Sequence, residues 1–292
     1  MTGTVAAPGA LLCLSLLAAC GGSSDGVAPS PHRAGQVTVV AAGDIASSPS
    51  GAAGTARLVR ELRPDAVLTL GDNAYPSGTI ADYEHNYAPT WGAFRTITHP
   101  APGNHDYRTV GAAGYFDYFR QQVHGEPYYA WDAGTWRMYS LNCEIPCGAG
   151  SAELRWLTRD LGHLGNRPVL AYVHEPLFTC STVHAPAPLA HDIWSVLQRG
   201  NGRILLTGHN HGYERFAPMT ADGAGAPGGI REFVVGTGGA EFYPLRSSCP
   251  GREASADQVA GVLELRLGAT DYRWRFVAVN GKVLDSGSQQ LA

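Results

Sequence analysis

The stretch RILLTGHNHGYER, Arg203 to Arg215, opens on a short apolar run and breaks at a glycine followed by two histidines one residue apart. An Ile- and Leu-rich run of this length, closed by glycine, predicts a strand buried on both faces. His209 and His211 then stand just past its end. The same form recurs along the chain: Asp44 follows VTVVAAG, Asp72 follows AVLTLG, Asn104 follows the less regular TITHPAPG, and His174 ends VLAYV. Between these runs the spacing predicts helices around Ala53 to Leu62, Ala152 to Leu161 and Leu189 to Gln198. Such alternation predicts βα units and a partly parallel sheet covered on both sides.

The last part of the chain reads differently. EFVVG (Glu232 to Gly236), QVAGVLELRLG (Gln258 to Gly268), YRWRFVAV (Tyr272 to Val279) and KVLDSG (Lys282 to Gly287) show period-two patterning, with Asn280-Gly281 as a hairpin signal. These segments read as antiparallel. The two halves together predict a mixed α/β (α+β) fold, a four-layer αββα sandwich of two mixed β-sheets flanked by helices.

Ligands of open α/β sheets bind beyond the carboxyl ends of the strands, so the five segments can converge on one crevice although they lie far apart in sequence. Glycine directly precedes the polar residue in four of them: Gly43-Asp44, Gly71-Asp72, Gly103-Asn104 and Gly208-His209. A single Gly-Asp pair is usually an ordinary turn. Its recurrence at successive strand ends implies a crowded site. Two aspartates, an asparagine, three histidines and a tyrosine form a nitrogen and oxygen donor set suited to iron, manganese or zinc. Seven donors exceed the needs of one tetrahedral ion, and two ions bridged by one carboxylate use them naturally.

GDIA (Gly43 to Ala46), GDNAY (Gly71 to Tyr75), GNHD (Gly103 to Asp106), VH (Val173, His174) and GHNH (Gly208 to His211), in this order, resemble the motifs of the calcineurin-like metallophosphoesterases, and specifically of purple acid phosphatases. The resemblance implies that Asp44, Asp72, Tyr75 and His211 hold one ion, Fe(III), and that Asp72, Asn104, His174 and His209 hold a divalent Fe, Zn or Mn. A phenol with a pKa near 10 ionises readily only beside a strongly acidic cation, which fits Tyr75 to a trivalent metal. The first motif departs from the family in one place, with Ala46 where glycine is usual. The implied reaction is hydrolysis of small phosphate monoesters by metal-activated hydroxide, in line and without a covalent intermediate. The resemblance also implies that His105 faces substrate, with Asp106 expected to orient it, and that His184 is a further substrate-facing histidine. Two other readings stand beside this one: a phosphodiesterase or nucleotide hydrolase on the same fold, and a non-catalytic surface binding module.

Bulk properties narrow the partners. The 292 residues are 44% hydrophobic and 16% charged, with a net charge of -4. All the basic residues but Lys282 are arginines, spread along the chain rather than gathered into a patch. Nucleic acid is therefore not an expected partner. Residues 1 to 19 carry no charge, and ALLCLSLLAA followed by Cys20 in LAAC matches an export signal of lipoprotein type. The expected division is an export signal over 1–19, a flexible linker over 20–36 and a metallophosphoesterase domain over 37–292. The expected location is the cell surface or periplasm, with a lipid anchor at Cys20 as the only membrane contact and plain secretion as the alternative.

In an oxidising compartment Cys143, Cys147, Cys180 and Cys249 make two disulfides plausible. Spacing leaves the pairing open, and the favoured one joins Cys143 to Cys147 and Cys180 to Cys249. His191 and Trp194 read as a helix packing face, YFDYF (Tyr115 to Phe119) as core or pocket wall, and GTGGAEF (Gly236 to Phe242) as a tight strand-end turn near the crevice. Glu175 is a candidate support for the metal ligands, and Glu214 with Arg215 a candidate ion pair beneath the histidine loop.

Overall fold

Alternate residues of the central strands face two different apolar cores. In the computed structural model, which describes residues 1–4, 35–47 and 49–291, the strands in chain order are β1 Val37–Ala42, β2 Ala66–Leu70, β3 Thr98–Ala101, β4 Tyr129–Ala133, β5 Trp136–Ser140, β6 Val169–Tyr172, β7 Gly202–Thr207, β8 Tyr213–Phe216, β9 Arg231–Val235, β10 Arg252–Ala256, β11 Gly261–Leu267, β12 Asp271–Ala278 and β13 Val283–Gln290. Leu170 and Tyr172 of β6, Ile204 and Leu206 of β7, and Phe233 and Val235 of β9 join β1, β2 and β11 in one core. Their neighbours Val169, Ala171, Leu205 and Val234 join a second core with Leu157, Ile193, Trp194 and Leu197 of the helices. Strands buried on both faces need no polar alternation, which is why these runs are continuously apolar. Each fully buried Val, Leu or Ile stabilises the fold by about 1.5–3 kcal/mol relative to exposure.

One sheet has the order β13-β12-β11-β1-β2-β3, the other β10-β8-β9-β7-β6-β5-β4. In the first, β1, β2 and β3 are parallel, while β1–β11, β11–β12 and β12–β13 are antiparallel. In the second, β5, β6, β7 and β9 are parallel, and β4, β8 and β10 join antiparallel. The helix Pro49–Leu62 lies against the first sheet through Ala52, Ala56, Val59 and Leu62, spaced as one helical face. The helices Ala152–Leu161 and Ala190–Arg199 cover the second. Ser151 caps the first of these by accepting Leu154 N–H at 3.0 Å. The layers are helix, sheet, sheet, helix, as the sequence predicts.

Three readings are corrected. The first helix begins at Pro49, before the apolar spacing becomes regular, with proline in its first turn, where it removes no needed donor. β9 is parallel to β7 as well as antiparallel to β8, because strand direction is set by the neighbour across the sheet and not by the alternation within the run. β10 is an additional strand at the sheet edge, its residues half-exposed or exposed, with little apolar signal. The Asn280-Gly281 turn joins β12 to β13, with Gly281 at φ +85°. Tyr115 and Phe119 are buried in an aromatic cluster with Tyr83 and Tyr87.

Disulfides join Cys143 to Cys147 and Cys180 to Cys249. No helix among the described residues is long and apolar enough to cross a membrane. Residues 5–34, which carry Cys20 and most of the expected signal and linker, lie outside the described residues.

Candidate metal centre

Asp44, Asp72 and His209 each turn the chain at a strand end with φ of 59°, 49° and 65°. Left-handed backbone costs a side-chain-bearing residue on the order of 1 kcal/mol or more and persists where the surroundings enforce it. The glycines beside them leave room for the convergence. A Cβ on Gly71 would overlap the His174 imidazole, and one on Gly103 would overlap the backbone nitrogen and carboxylate of Asp72. Ala46 is buried and bridges Ala74 without a positive φ, so the departure from glycine is accommodated in place.

The expected donors form two groups that share one atom. Around Tyr75 Oη lie Asp44 Oδ1 at 3.2 Å, Asp72 Oδ2 at 3.3 Å and His211 Nε2 at 3.3 Å, with His211 Nε2 3.2 Å from Asp44 Oδ1. Around His174 Nε2 lie Asn104 Oδ1 at 3.1 Å, His209 Nδ1 at 3.3 Å and Asp72 Oδ2 at 3.4 Å, and Asn104 Oδ1 is also 3.1 Å from His209 Nδ1. Donors held about 2.0–2.2 Å from one ion stand roughly 2.8–3.6 Å from each other in tetrahedral or octahedral arrangements. The contacts just given fall in that range, as adjacent donors do, and Asp72 Oδ2 belongs to both groups.

The outward atoms of these side chains are already engaged. Asp44 Oδ2 accepts His209 N–H at 2.8 Å, and Asp72 Oδ1 accepts His105 N–H at 2.7 Å. The Nδ1–H groups of His174 and His211 donate to the carbonyls of Leu70 and Glu241 at 2.8 and 2.6 Å. Each imidazole therefore turns Nε2 inward, the arrangement that supporting carbonyls impose on metal-binding histidines. Asn104 Oδ1 faces two ring nitrogens, so this cluster of acceptors fits cations.

Charge within the site follows the same geometry. Burial works against ionisation of Asp44 and Asp72, but His211 beside the first and His174 beside the second hold both below the ordinary carboxylate range. Burial likewise opposes charge on the two imidazoles, yet Asp72 raises His174 well above its usual value and Asp44 raises His211. Ligation through either Nε2 thus competes with a proton. His209 is pushed down to about 3 by burial and by His174. Burial, then Asp44 and Asp72, push the Tyr75 phenol well above 10, so it yields its proton only to a strong positive charge.

His105 lies beside Tyr75, half-buried, with the two rings 4.3 Å apart. Its Nδ1–H donates to Pro76 O at 2.7 Å, leaving Nε2 3.9 Å from Asp72 Oδ2. Asp106 does not orient it, contrary to expectation. Consecutive side chains diverge in this tight turn, and the Asp106 carboxylate points inward, accepting Gly103 N–H at 2.9 Å, Asn73 N–H at 3.3 Å, Asn73 Nδ2–H at 3.0 Å and Tyr83 O–H at 2.6 Å. It holds the loop together. His184 is brought to the centre, its ring 4.2 Å from that of His209.

Two further readings are corrected. Glu214 and Arg215, consecutive on β8, project to opposite sides: Glu214 pairs with Arg252, and Arg215 with Asp285 and Glu253. Glu175 makes no hydrogen bond or ion pair among the described residues, so it does not hold a ligand in place. Asn73, inside the GDNAY motif, supports the site by bonding Ala101 O and Asp106. Nothing in the sequence around Tyr243 marks it, yet its ring stacks on that of His211 at 4.0 Å and 9°. Among the described residues, Cys180, Glu214 and Cys249 also lie close enough to hold a metal, but the two cysteines are bonded to each other and offer no thiolate.

Comparison with known proteins agrees with this geometry. The family model described as calcineurin-like phosphoesterase matches residues 37–213. Purple acid phosphatase 21 of Arabidopsis thaliana is 23% identical over 249 residues, 75% of this chain and 54% of that protein. The structure of purple acid phosphatase PPD1 from yellow lupin (Lupinus luteus) seeds superposes with a TM-score of 0.76 at 18% identity, covering 90% of this chain and 55% of that one. GAP50 of Plasmodium, the anchor in the inner membrane complex, gives 0.64 at 10% identity, covering 88% and 89%. A dimetal phosphatase from Danio rerio gives 0.61 at 12%, covering 88% and 99%. At these identities the superpositions show the fold, and the chain spans about half the length of the purple acid phosphatases it matches. A donor set ordered along the sequence as in that family, on this fold and under a family model that matches more than half of the chain, places the protein in the calcineurin-like phosphoesterase family.

Proposed function

We propose that this protein is an exported binuclear-metal phosphoesterase that hydrolyses small phosphate monoesters. The observation that carries the reading is the position of Asp72 Oδ2, 3.3 Å from Tyr75 Oη and 3.4 Å from His174 Nε2, as the common corner of two four-donor groups. Asp44, Asp72, Tyr75 and His211 would hold one ion, Fe(III), and Asp72, Asn104, His174 and His209 a divalent Fe, Zn or Mn. When bound, such a pair neutralises phosphate oxygens and makes water acidic enough to supply hydroxide near neutral pH.

The chain's own groups do the rest. Pro76 O fixes the Nδ1 proton of His105, so Nε2 is the atom free to carry a proton to a departing alkoxide. His184 closes the side of the centre beside His209 as a substrate-facing ring. Burial, with His211 and His174 nearby, holds its pKa below the ordinary value, so it serves as a neutral contact and not as an acid at neutral pH. Two disulfides agree with an oxidising compartment and so with export, by way of a lipid anchor at Cys20 or by plain secretion.

A second reading, a binding module without turnover, is favoured by the likeness to GAP50, which is named as an anchor. Purified protein should hydrolyse aryl and alkyl phosphate monoesters faster than diesters or nucleotides. Two bound metals with no hydrolysis of any ester between about pH 4 and 9 would establish the binding module instead. Preference for diesters or nucleotides would move the assignment to a phosphodiesterase or nucleotide hydrolase.

A further inference from the structure

The segment from Ala240 to Cys249 crosses the metal centre and bonds to both of its sides. Ala240 N–H donates to Asp44 O at 2.9 Å, and Tyr243 N–H to His211 O at 2.9 Å. The carbonyl of Glu241 accepts the Nδ1 proton of His211, and the Tyr243 ring lies parallel over the His211 imidazole. Three separate contacts from two positions, Glu241 and Tyr243, thus settle on His211. Farther along, Pro244 O accepts Thr182 N–H at 3.1 Å and Thr182 O–H at 3.0 Å, Arg246 N–H donates to Cys180 O at 2.8 Å, and Cys249 is bonded to Cys180. Those partners belong to the loop that carries His184 to its place against His209. The buried Glu214 carboxylate holds the root of that loop, accepting Thr179 O–H at 2.7 Å and Cys180 N–H at 3.0 Å. The rings of Tyr243 and His184 meet at 5.3 Å.

We propose that Tyr243 is a positioning residue of the metal centre: its ring locks the rotation of the His211 imidazole, and the strap that carries it couples the His211 donor group to the His184 loop over the other. The inference rests on the metal-centre reading above. The hydrogen bond from Nδ1 sets which way the ring points but leaves it room to tilt out of its plane. A parallel ring 4.0 Å away removes that freedom. The pairing also suits ligation, because a cation on Nε2 withdraws charge from the imidazole and strengthens its contact with an electron-rich phenol face. Tyr243 is itself half-buried, so the stack gives it a more specific role than core filling. Neither Tyr243 nor its partners on the strap supply a metal donor.

The test is calorimetric titration of the metal-stripped, purified full chain with zinc alone, comparing wild type with Tyr243→Phe, Tyr243→Ala and the double variant Cys180→Ser/Cys249→Ser. Wild type should take up two ions. Tyr243→Ala should weaken one binding step about 10- to 100-fold, as loss of a group supporting a ligand does, and leave the other within about threefold. Tyr243→Phe, which keeps the ring, should bind as wild type, and the double variant should weaken binding through the loosened strap. Should Tyr243→Ala not fold, Tyr243→Leu carries the test under the same expectation. Wild-type affinity in Tyr243→Ala, or equal losses in Tyr243→Phe and Tyr243→Ala, overturns the inference while leaving the metal centre standing. Failure of the wild type to bind zinc overturns the metal centre itself.

Discussion

The backbone N–H of His105 donates to Asp72 Oδ1 at 2.7 Å, so the carboxylate shared by the two donor groups also anchors the loop that presents the His105 ring. One side chain thereby belongs to both donor groups and holds the His105 loop. His105→Ala keeps that backbone bond. It should therefore retain both metals while losing about 10²- to 10⁴-fold in kcat, the usual worth of a positioned general acid. The loss should be larger on alkyl phosphates than on aryl phosphates with good leaving groups. Steady-state kinetics on the two substrate types, beside metal analysis, checks this, and equal losses on both would remove His105 from proton transfer.

Asp106 closes the inside of the same loop by accepting from Gly103, Asn73 and Tyr83. Each buried donor left unpaired costs on the order of 1–3 kcal/mol. Asp106→Ala should lower unfolding stability by about 3 kcal/mol or more and loosen metal binding as Asn104 and Asp72 lose their support. Denaturant unfolding with and without metal measures both effects.

Glu153 lies in the first turn of the helix Ala152–Leu161, fully buried, with Oε1 accepting Asn142 N–H at 2.8 Å. Burial pushes its pKa up to about 8 against that hydrogen bond. Between its ordinary value near 4.5 and about 8, the unfolded chain gives up the proton and the native chain keeps it. Its contribution to stability is therefore greatest below pH 4.5 and is lost as pH rises through that window, with a slope of up to about 1.4 kcal/mol per pH unit. Glu153→Gln should remove this slope. Unfolding free energies measured across the range would show it as a flatter profile than wild type.

Tyr75 Oη touches Asp44, Asp72 and His211 at 3.2–3.3 Å. With ferric iron bound, protein as isolated should be coloured by tyrosinate-to-iron charge transfer, and Tyr75→Phe should be colourless. A colourless wild type with full activity on zinc or manganese would refute the iron assignment and leave hydrolysis intact.

The convergence of the expected donors was legible in the sequence because they sit at strand ends, where an apolar run and a glycine mark the position along the chain. The layer order and both disulfide pairings also agree with expectation. What escaped depended on direction and distance. Nothing in the spacing of GNHD tells that the Asp106 carboxylate turns away from His105 toward Tyr83, because that is settled by loop packing. The stack of Tyr243 on His211 joins residues far apart in sequence, and the glycine-rich GTGGAEF signalled only a turn near the crevice. The parallel pairing of β9 with β7 is likewise invisible to period two, which reports which face is buried and not the sense of the neighbouring strand.

The most direct test of the metal pair is elemental analysis of metal-loaded wild type beside Asp72→Asn, which keeps the shape of the shared side chain and removes its charge. Two ions per chain in the wild type, falling below one in the variant, is the predicted result. A single ion in the wild type, or two ions retained by Asp72→Asn, would contradict a centre joined through Asp72.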